Sequence, residues 1–140
     1  MIGAIVGDVV GSKYEWAYFK SKDFELFDPD KCTFTDDSVM TVAVAAALAD
    51  WKKKGGDVST LAIAKMKEFG KRFPYAGYGG RFDEWLNSED PQPYNSWGNG
   101  SGMRVSPVGL YAKTLDEALA LAALTASVSH NHAECCHFAR

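Results

Sequence analysis

Thr35-Asp36-Asp37-Ser38 runs straight into Val39-Met40-Thr41-Val42-Ala43-Val44-Ala45-Ala46-Ala47-Leu48-Ala49-Asp50-Trp51-Lys52-Lys53-Lys54, and Gly55-Gly56 follows. The alanine-rich run, with Val39, Val42, Val44, Leu48 and Trp51, predicts a helix from Ser38 to Lys53 that is buried along much of its length. A threonine followed by two aspartates is a favoured helix start, because the hydroxyl caps backbone N–H groups and the acids face the positive end of the dipole. Three lysines then complement the negative end, and the glycine pair stops the helix.

Helical signals continue on both sides. Ile2, Ile5, Val6, Val9 and Val10 recur at the spacing of a helix stripe facing a core. Gly3, Gly7 and Gly11 make a second stripe. Each glycine disfavours a helix by about 1 kcal/mol relative to alanine, so the stripe predicts a close approach by another backbone or a ligand. Asp8 and Glu15, seven residues apart, share nearly one face. Downstream, a helix is expected from Ser59 to Arg72, with Leu61, Ile63, Ala64, Met66 and Phe69 inward and Pro74 beyond its end. Residues 74–107 read as loops with at most a short helix around Arg81 to Leu86. Thr114-Leu115-Asp116-Glu117 is a capping box opening a last helix to about Val128. No alternating strand pattern occurs, so the fold class is all-α.

The 140-residue chain suits one domain and is long enough to bury roughly two thirds of its unfolded surface. A net charge of −3 excludes the basic footprint of a nucleic-acid binder or of an anionic-membrane binder. No apolar run approaches the roughly 20 residues of a membrane span, and the N-terminus lacks the basic start of a signal peptide. Cys32, Cys135 and Cys136 form no disulfide framework, which makes the cytoplasm the expected compartment.

Three groups of residues carry chemistry. Thr35, Asp36 and Asp37 are hard oxygen donors of the kind a divalent cation such as magnesium takes, although capping alone also accounts for them. Gly77-Tyr78-Gly79-Gly80-Arg81 and Ser96-Trp97-Gly98-Asn99-Gly100-Ser101-Gly102-Met103-Arg104 are glycine-rich loops. Their backbone N–H groups can converge on an anion, with Arg81 or Arg104 adding charge and Tyr78 and Trp97 offering stacking surfaces. The same glycines would equally serve plain tight turns. Ser129-His130-Asn131-His132, with Cys135, Cys136 and His137, brings imidazoles and thiols together without matching an established zinc spacing.

Taken in order, Ile2 to Ser12 with Glu15, Thr33 to Ser38, Gly77 to Gly80, Ser96 to Val105 and Ser129-His130 resemble the ADP-ribosylglycohydrolase family, over residues 2 to about 134. The resemblance implies the N-terminal part of an all-α fold with two Mg2+ (or Mn2+) ions between helices. It implies hydrolysis of the glycosidic bond joining ADP-ribose to a protein side chain or small molecule. By that likeness Thr35, Asp36 and Asp37 would be metal ligands, and Glu15, Asp36 and Asp37 the catalytic group, with Glu15 positioning or deprotonating water. Gly77, Tyr78, Gly79 and Gly80 would follow the diphosphate. Ser96, Trp97, Gly98, Asn99, Gly100, Ser101 and Met103 would contact ribose and diphosphate, with Asn99 as side-chain donor, and His130 would sit near the adenosine or ribose end.

The family's second acidic cluster, Asp-x-Asp followed by Ser or Thr, has no counterpart after Glu134. Residues 1–134 therefore read as a partial domain and 135–140 as a divergent tail, from truncation, frameshift or a split protein. Absent helices would leave the Val39 to Leu48 helix uncovered, which favours self-association or a second polypeptide. A non-catalytic ADP-ribose-binding module and an inactive helical remnant are the alternatives to a hydrolase.

Overall fold

The computed structural model describes residues 1–15, 17 and 19–133. Six α-helices and no strand occur among them: α1 (Ile2–Gly11), α2 (Asp36–Lys54), α3 (Val58–Arg72), α4 (Gly80–Asn87), α5 (Val108–Tyr111) and α6 (Leu115–Ser127). Short 3-10 turns lie at Ser12–Tyr14 and Asn99–Ser101. Residues 135–140, read above as a divergent tail and including Cys135, Cys136 and His137, lie outside the described residues.

Helix α2 is the centre. Val39, Met40, Ala43, Val44, Ala47 and Leu48 are all buried, and α3 packs against it most extensively. The expectation that this stretch would be left uncovered is therefore wrong: α3 and α5 pack over it. Its ends follow the sequence signals. Thr35 is the N-cap, its hydroxyl accepting from the Asp37 N–H, and Gly55 ends the helix at φ +73°. That backbone conformation is strained for any residue with a Cβ.

Helix α3 starts at Asp57, whose carboxylate accepts from the Thr60 N–H, and ends at Phe73 just before Pro74. Its buried stripe is Val58, Ala62, Met66 and Gly70, an i, i+4 row. Ala64, expected inward, is exposed, while Leu61, Ile63 and Phe69 flank the core half-buried. In α6, Thr114 caps the Glu117 N–H as a capping box requires. The Glu117 carboxylate reaches the Lys113 N–H rather than that of Thr114. Trp85 on α4 donates to the Val128 carbonyl at 3.1 Å, fastening α4 to the end of α6.

Helix α1 forms as its periodicity predicts but does not face a core: none of its residues is buried, and Ile2 is 77% exposed. The Gly3-Gly7-Gly11 stripe meets no close approach either, since a Cβ at any of the three would find nothing within 4 Å. What fixes α1 is polar. Asp8 Oδ2 accepts from the Thr35 N–H (2.8 Å) and the Ser38 N–H (3.1 Å), and Oδ1 accepts from the Thr35 hydroxyl (2.6 Å). No described helix is long and apolar enough to cross a membrane.

Asp8 thus joins α1 to the first turn of α2 through charge-assisted bonds. Asp8→Ala is expected to lower the unfolding free energy by about 2 kcal/mol in urea titrations. A loss below about 0.5 kcal/mol would show the tie to be idle.

Candidate functional site

The start of α2 is built from four backbone N–H groups that share three acceptors. Thr35 N–H and Ser38 N–H go to Asp8, Asp36 N–H to the Ala76 carbonyl (2.8 Å) and Asp37 N–H to the Thr35 hydroxyl (3.3 Å). Because these partners cap the helix, the Asp36 and Asp37 carboxylates are not needed for that purpose. Both project into an open cleft of about 560 Å3, within the range typical of small-molecule sites.

The same hydrogen bonds assemble the walls. The Asp36–Ala76 bond brings the Gly77–Gly80 loop beside the aspartates; Gly77 turns the chain at φ +95°, with the Asp36 Oδ1 4.0 Å from where its Cβ would stand. Gly79 and Gly80 open α4, whose first-turn N–H groups border the cleft. On the opposite side the Thr41 hydroxyl donates to the Met103 carbonyl (3.2 Å), anchoring the second glycine loop to α2. That loop is held again by the segment after α6: Tyr94 N–H donates to the Ser129 carbonyl and Asn95 N–H to Asn131 Oδ1. Residues distant in sequence thereby face one space.

Of the residues singled out from sequence, Glu15, Asp36, Asp37, Gly77, Gly79, Gly80, Ser96, Gly98, Asn99, Gly100, Met103 and His130 line the cleft. Four do not. Thr35 stands behind the aspartates, its proton on Asp8. Ser101 is buried. Tyr78 turns its hydroxyl to the Phe73 carbonyl (3.0 Å), and Trp97 is 73% exposed, its ring 4.4 Å from that of His132. The aromatic lining comes instead from Phe82 and Tyr94, which the sequence did not single out. Phe82 follows Gly79-Gly80 on the α4 face that turns inward, a position the helix period could have revealed. Tyr94 lies in irregular chain with no such signal. Both arginines border the cleft, but each has local work: Arg81 donates to the Tyr94 carbonyl (2.8 Å), and Arg104 is buried beneath Ser129.

The electrostatics are one-sided. Burial, then the neighbouring charge of Asp37, and to a lesser extent Glu15 and Asp8, push the Asp36 carboxyl up to about 7. Burial, Asp8 and Glu15 raise Asp37 as well. Neither aspartate forms an ion pair among the described residues. At the far wall, burial and the Arg104 charge lower the His130 imidazole to about 4. The cleft lining thus combines carboxylates that have no ion pair among the described residues with a neutral histidine.

A divalent cation is what this acidic end fits chemically. Two carboxylates are short of positive charge, and the Thr35 oxygen, its proton committed to Asp8, keeps a lone pair. Among the described residues, however, no group of three or more His, Cys, Asp or Glu side chains is gathered to hold a metal ion. The donor set therefore suits an ion that keeps several waters rather than an all-protein cage. The zinc alternative at His130 and His132 gains no support from the described part of that cluster, where the His130 Nδ1 is engaged by Ser129 at 2.8 Å.

A family model described as ADP-ribosylglycohydrolase matches residues 1–140. Among curated proteins, the ADP-ribosylhydrolase ARH3 of Mus musculus is 28% identical over 159 aligned positions, which take in 93% of this chain and 42% of the relative. The chain spans less than half the length of the curated relative it matches.

A carboxyl raised to about 7 makes the metal-free folded state bind more protons than the unfolded state between about pH 4 and 7. Its favourable contribution is therefore lost as pH rises through that window. For a half-buried, solvent-screened group we expect wild type to lose about 1–2 kcal/mol relative to Asp36→Asn between pH 5 and pH 8. Chemical denaturation at both pH values reads this directly, and parallel pH profiles for the two proteins would contradict it.

Proposed function

The chain belongs to the ADP-ribosylglycohydrolase family, and on that footing we propose that its cleft takes the ADP-ribose part of an ADP-ribosylated protein or small molecule for metal-assisted hydrolysis of the glycosidic bond. The family acts on ADP-ribosylated substrates and is metal-dependent in general. The observation that carries the reading is the convergence on one cleft of the aspartate pair, both glycine loops and His130.

Each wall has a role its chemistry suits. Asp36 and Asp37, with the Thr35 hydroxyl oxygen, would hold magnesium or manganese. A bound divalent ion supplies fixed positive charge beside the ribose hydroxyls and acidifies water. Glu15 is exposed at the mouth of the cleft, where it can orient the attacking water and take its proton. As the water oxygen bonds to the anomeric carbon of the ribose, the bond to the leaving nitrogen or oxygen breaks and that atom is protonated. The first turn of α4 and the Arg81 charge suit the diphosphate. The Ser96–Met103 loop, which gives Ser96, Gly98, Asn99, Gly100 and Met103 to the cleft lining, would contact ribose and diphosphate oxygens, with Phe82 and Tyr94 supplying flat apolar surface.

A second reading, ADP-ribose binding without turnover, is favoured by the lack of any three-residue metal-binding group among the described residues. Calorimetric titration with ADP-ribose, alongside an assay of ADP-ribose release from ADP-ribosylated peptide with magnesium, separates the two. Hydrolysis predicts magnesium-dependent release that falls at least a hundredfold in Asp37→Ala. Binding heat with no release supports the binding module. No heat at millimolar ADP-ribose sinks both.

A further inference from the structure

Arg104 is about 1% exposed, unusual for a residue that carries a permanent charge. One of its terminal nitrogens, Nη2, donates to the Thr125 carbonyl (3.1 Å) and to the Ser129 hydroxyl (2.8 Å), while Nε and Nη1 have no hydrogen-bond partner among the described residues. The Ser129 oxygen lies 2.8 Å from Nδ1 of the adjacent His130, and Ser129 itself is fully buried. Three buried side chains from two segments thus form one line: guanidinium, hydroxyl, imidazole.

The direction of the protons along this line follows from what each group can do. A guanidinium only donates, so Ser129 Oγ must accept from Arg104. Its own proton then points at His130 Nδ1, since no other acceptor for it is recorded among the described residues. Nδ1 must therefore be the bare nitrogen, and Nε2 carries the hydrogen. A charged imidazole would aim a second N–H at the same hydroxyl and put a positive charge beside an already desolvated guanidinium. The lowering of the His130 pKa by burial and Arg104 agrees with this.

The Nε2 side of the ring faces the second glycine loop. A Cβ on Gly100 would stand 2.7 Å from Nε2, and one on Gly98 3.8 Å away. The ring is flanked by Tyr94 and Phe82 at centroid distances of 5.6 and 6.3 Å. Imidazole orientation and loop shape are therefore set together at the wall of the cleft.

We propose that Arg104 and Ser129 are positioning residues that hold His130 as the neutral Nε2–H tautomer, so that the cleft wall presents a fixed hydrogen-bond donor at the glycine loop. The tautomer arm of this inference stands on the apo geometry alone; only its ligand arm rests on the ADP-ribose reading.

The test is nitrogen-15 NMR of the histidine ring at pH 7, with His130 assigned by His130→Asn. In wild type we expect Nδ1 to resonate as an unprotonated nitrogen and Nε2 as a protonated one. Ser129→Ala should give a mixture of tautomers and about tenfold weaker ADP-ribose binding, and Ser129→Thr should restore both. Arg104→Met should give the same mixture, and a wild-type pattern in that variant would remove Arg104 from the relay. Because Arg104 is buried, the wild-type spectrum and the Ser129 pair decide the matter if Arg104→Met does not fold. An Nδ1–H tautomer or an imidazolium in wild type, or an unchanged spectrum in Ser129→Ala, would overturn the proposal. If wild type binds no ADP-ribose, the function proposed above fails while the ring spectrum still judges the relay.

Discussion

The first turn of a buried helix exposes N–H groups that have no partner within the helix, and the way α2 satisfies them organises the molecule. Asp8 takes two, the Ala76 carbonyl takes one and the Thr35 hydroxyl takes one. Two of these acceptors come with a structural attachment. Asp8 brings α1, and Ala76 brings the loop that leads into α4. Helix capping and site assembly are thus the same set of bonds. Two aspartates at a helix start would ordinarily be read as caps. Here the capping is done by others, and Asp36 and Asp37 project into a cleft where burial and the charge of neighbouring acidic groups raise both carboxyls.

That arrangement is costly for the protein alone. Like charges gathered without counter-charge disfavour the folded state, and such concentrations of perturbed carboxyls occur where a ligand or cation completes the site. The opposite wall is built on another economy: a buried arginine spends one nitrogen on a carbonyl and a hydroxyl, and through that hydroxyl it reaches His130. The acidic and the histidine-bearing parts of the cleft lining thus differ in charge and in donor character.

Much of this was legible in the sequence because the signals were local. The caps at Thr35 and Thr114, the glycine after Lys54 and the apolar rows of α2 and α3 act within one or two turns, and the helices begin and end close to where those signals lie. The glycine loops and the order of motifs led to the cleft. What was misread depends on contacts between segments. Periodicity identifies the apolar face of α1 but not what covers it, and among the described residues Ile2 and Val6 of that face stay exposed and the rest only half-buried, while α2 is enclosed. Tyr78 and Trp97 looked like stacking platforms beside glycines, yet the Tyr78 hydroxyl is drawn to the Phe73 carbonyl and Phe82 and Tyr94 take the cleft. Nothing near Asp8 in the sequence signals its tie to α2, because its three donors are 27 to 30 residues away.

The central claim is that neighbouring carboxylates freed from capping duty form a seat for a doubly charged ion. Anomalous diffraction from crystals equilibrated with manganese tests it most directly. The account predicts a peak within bonding distance of carboxylate oxygens of both Asp36 and Asp37. Saturating manganese that leaves this position blank, with the start of α2 intact, would contradict it.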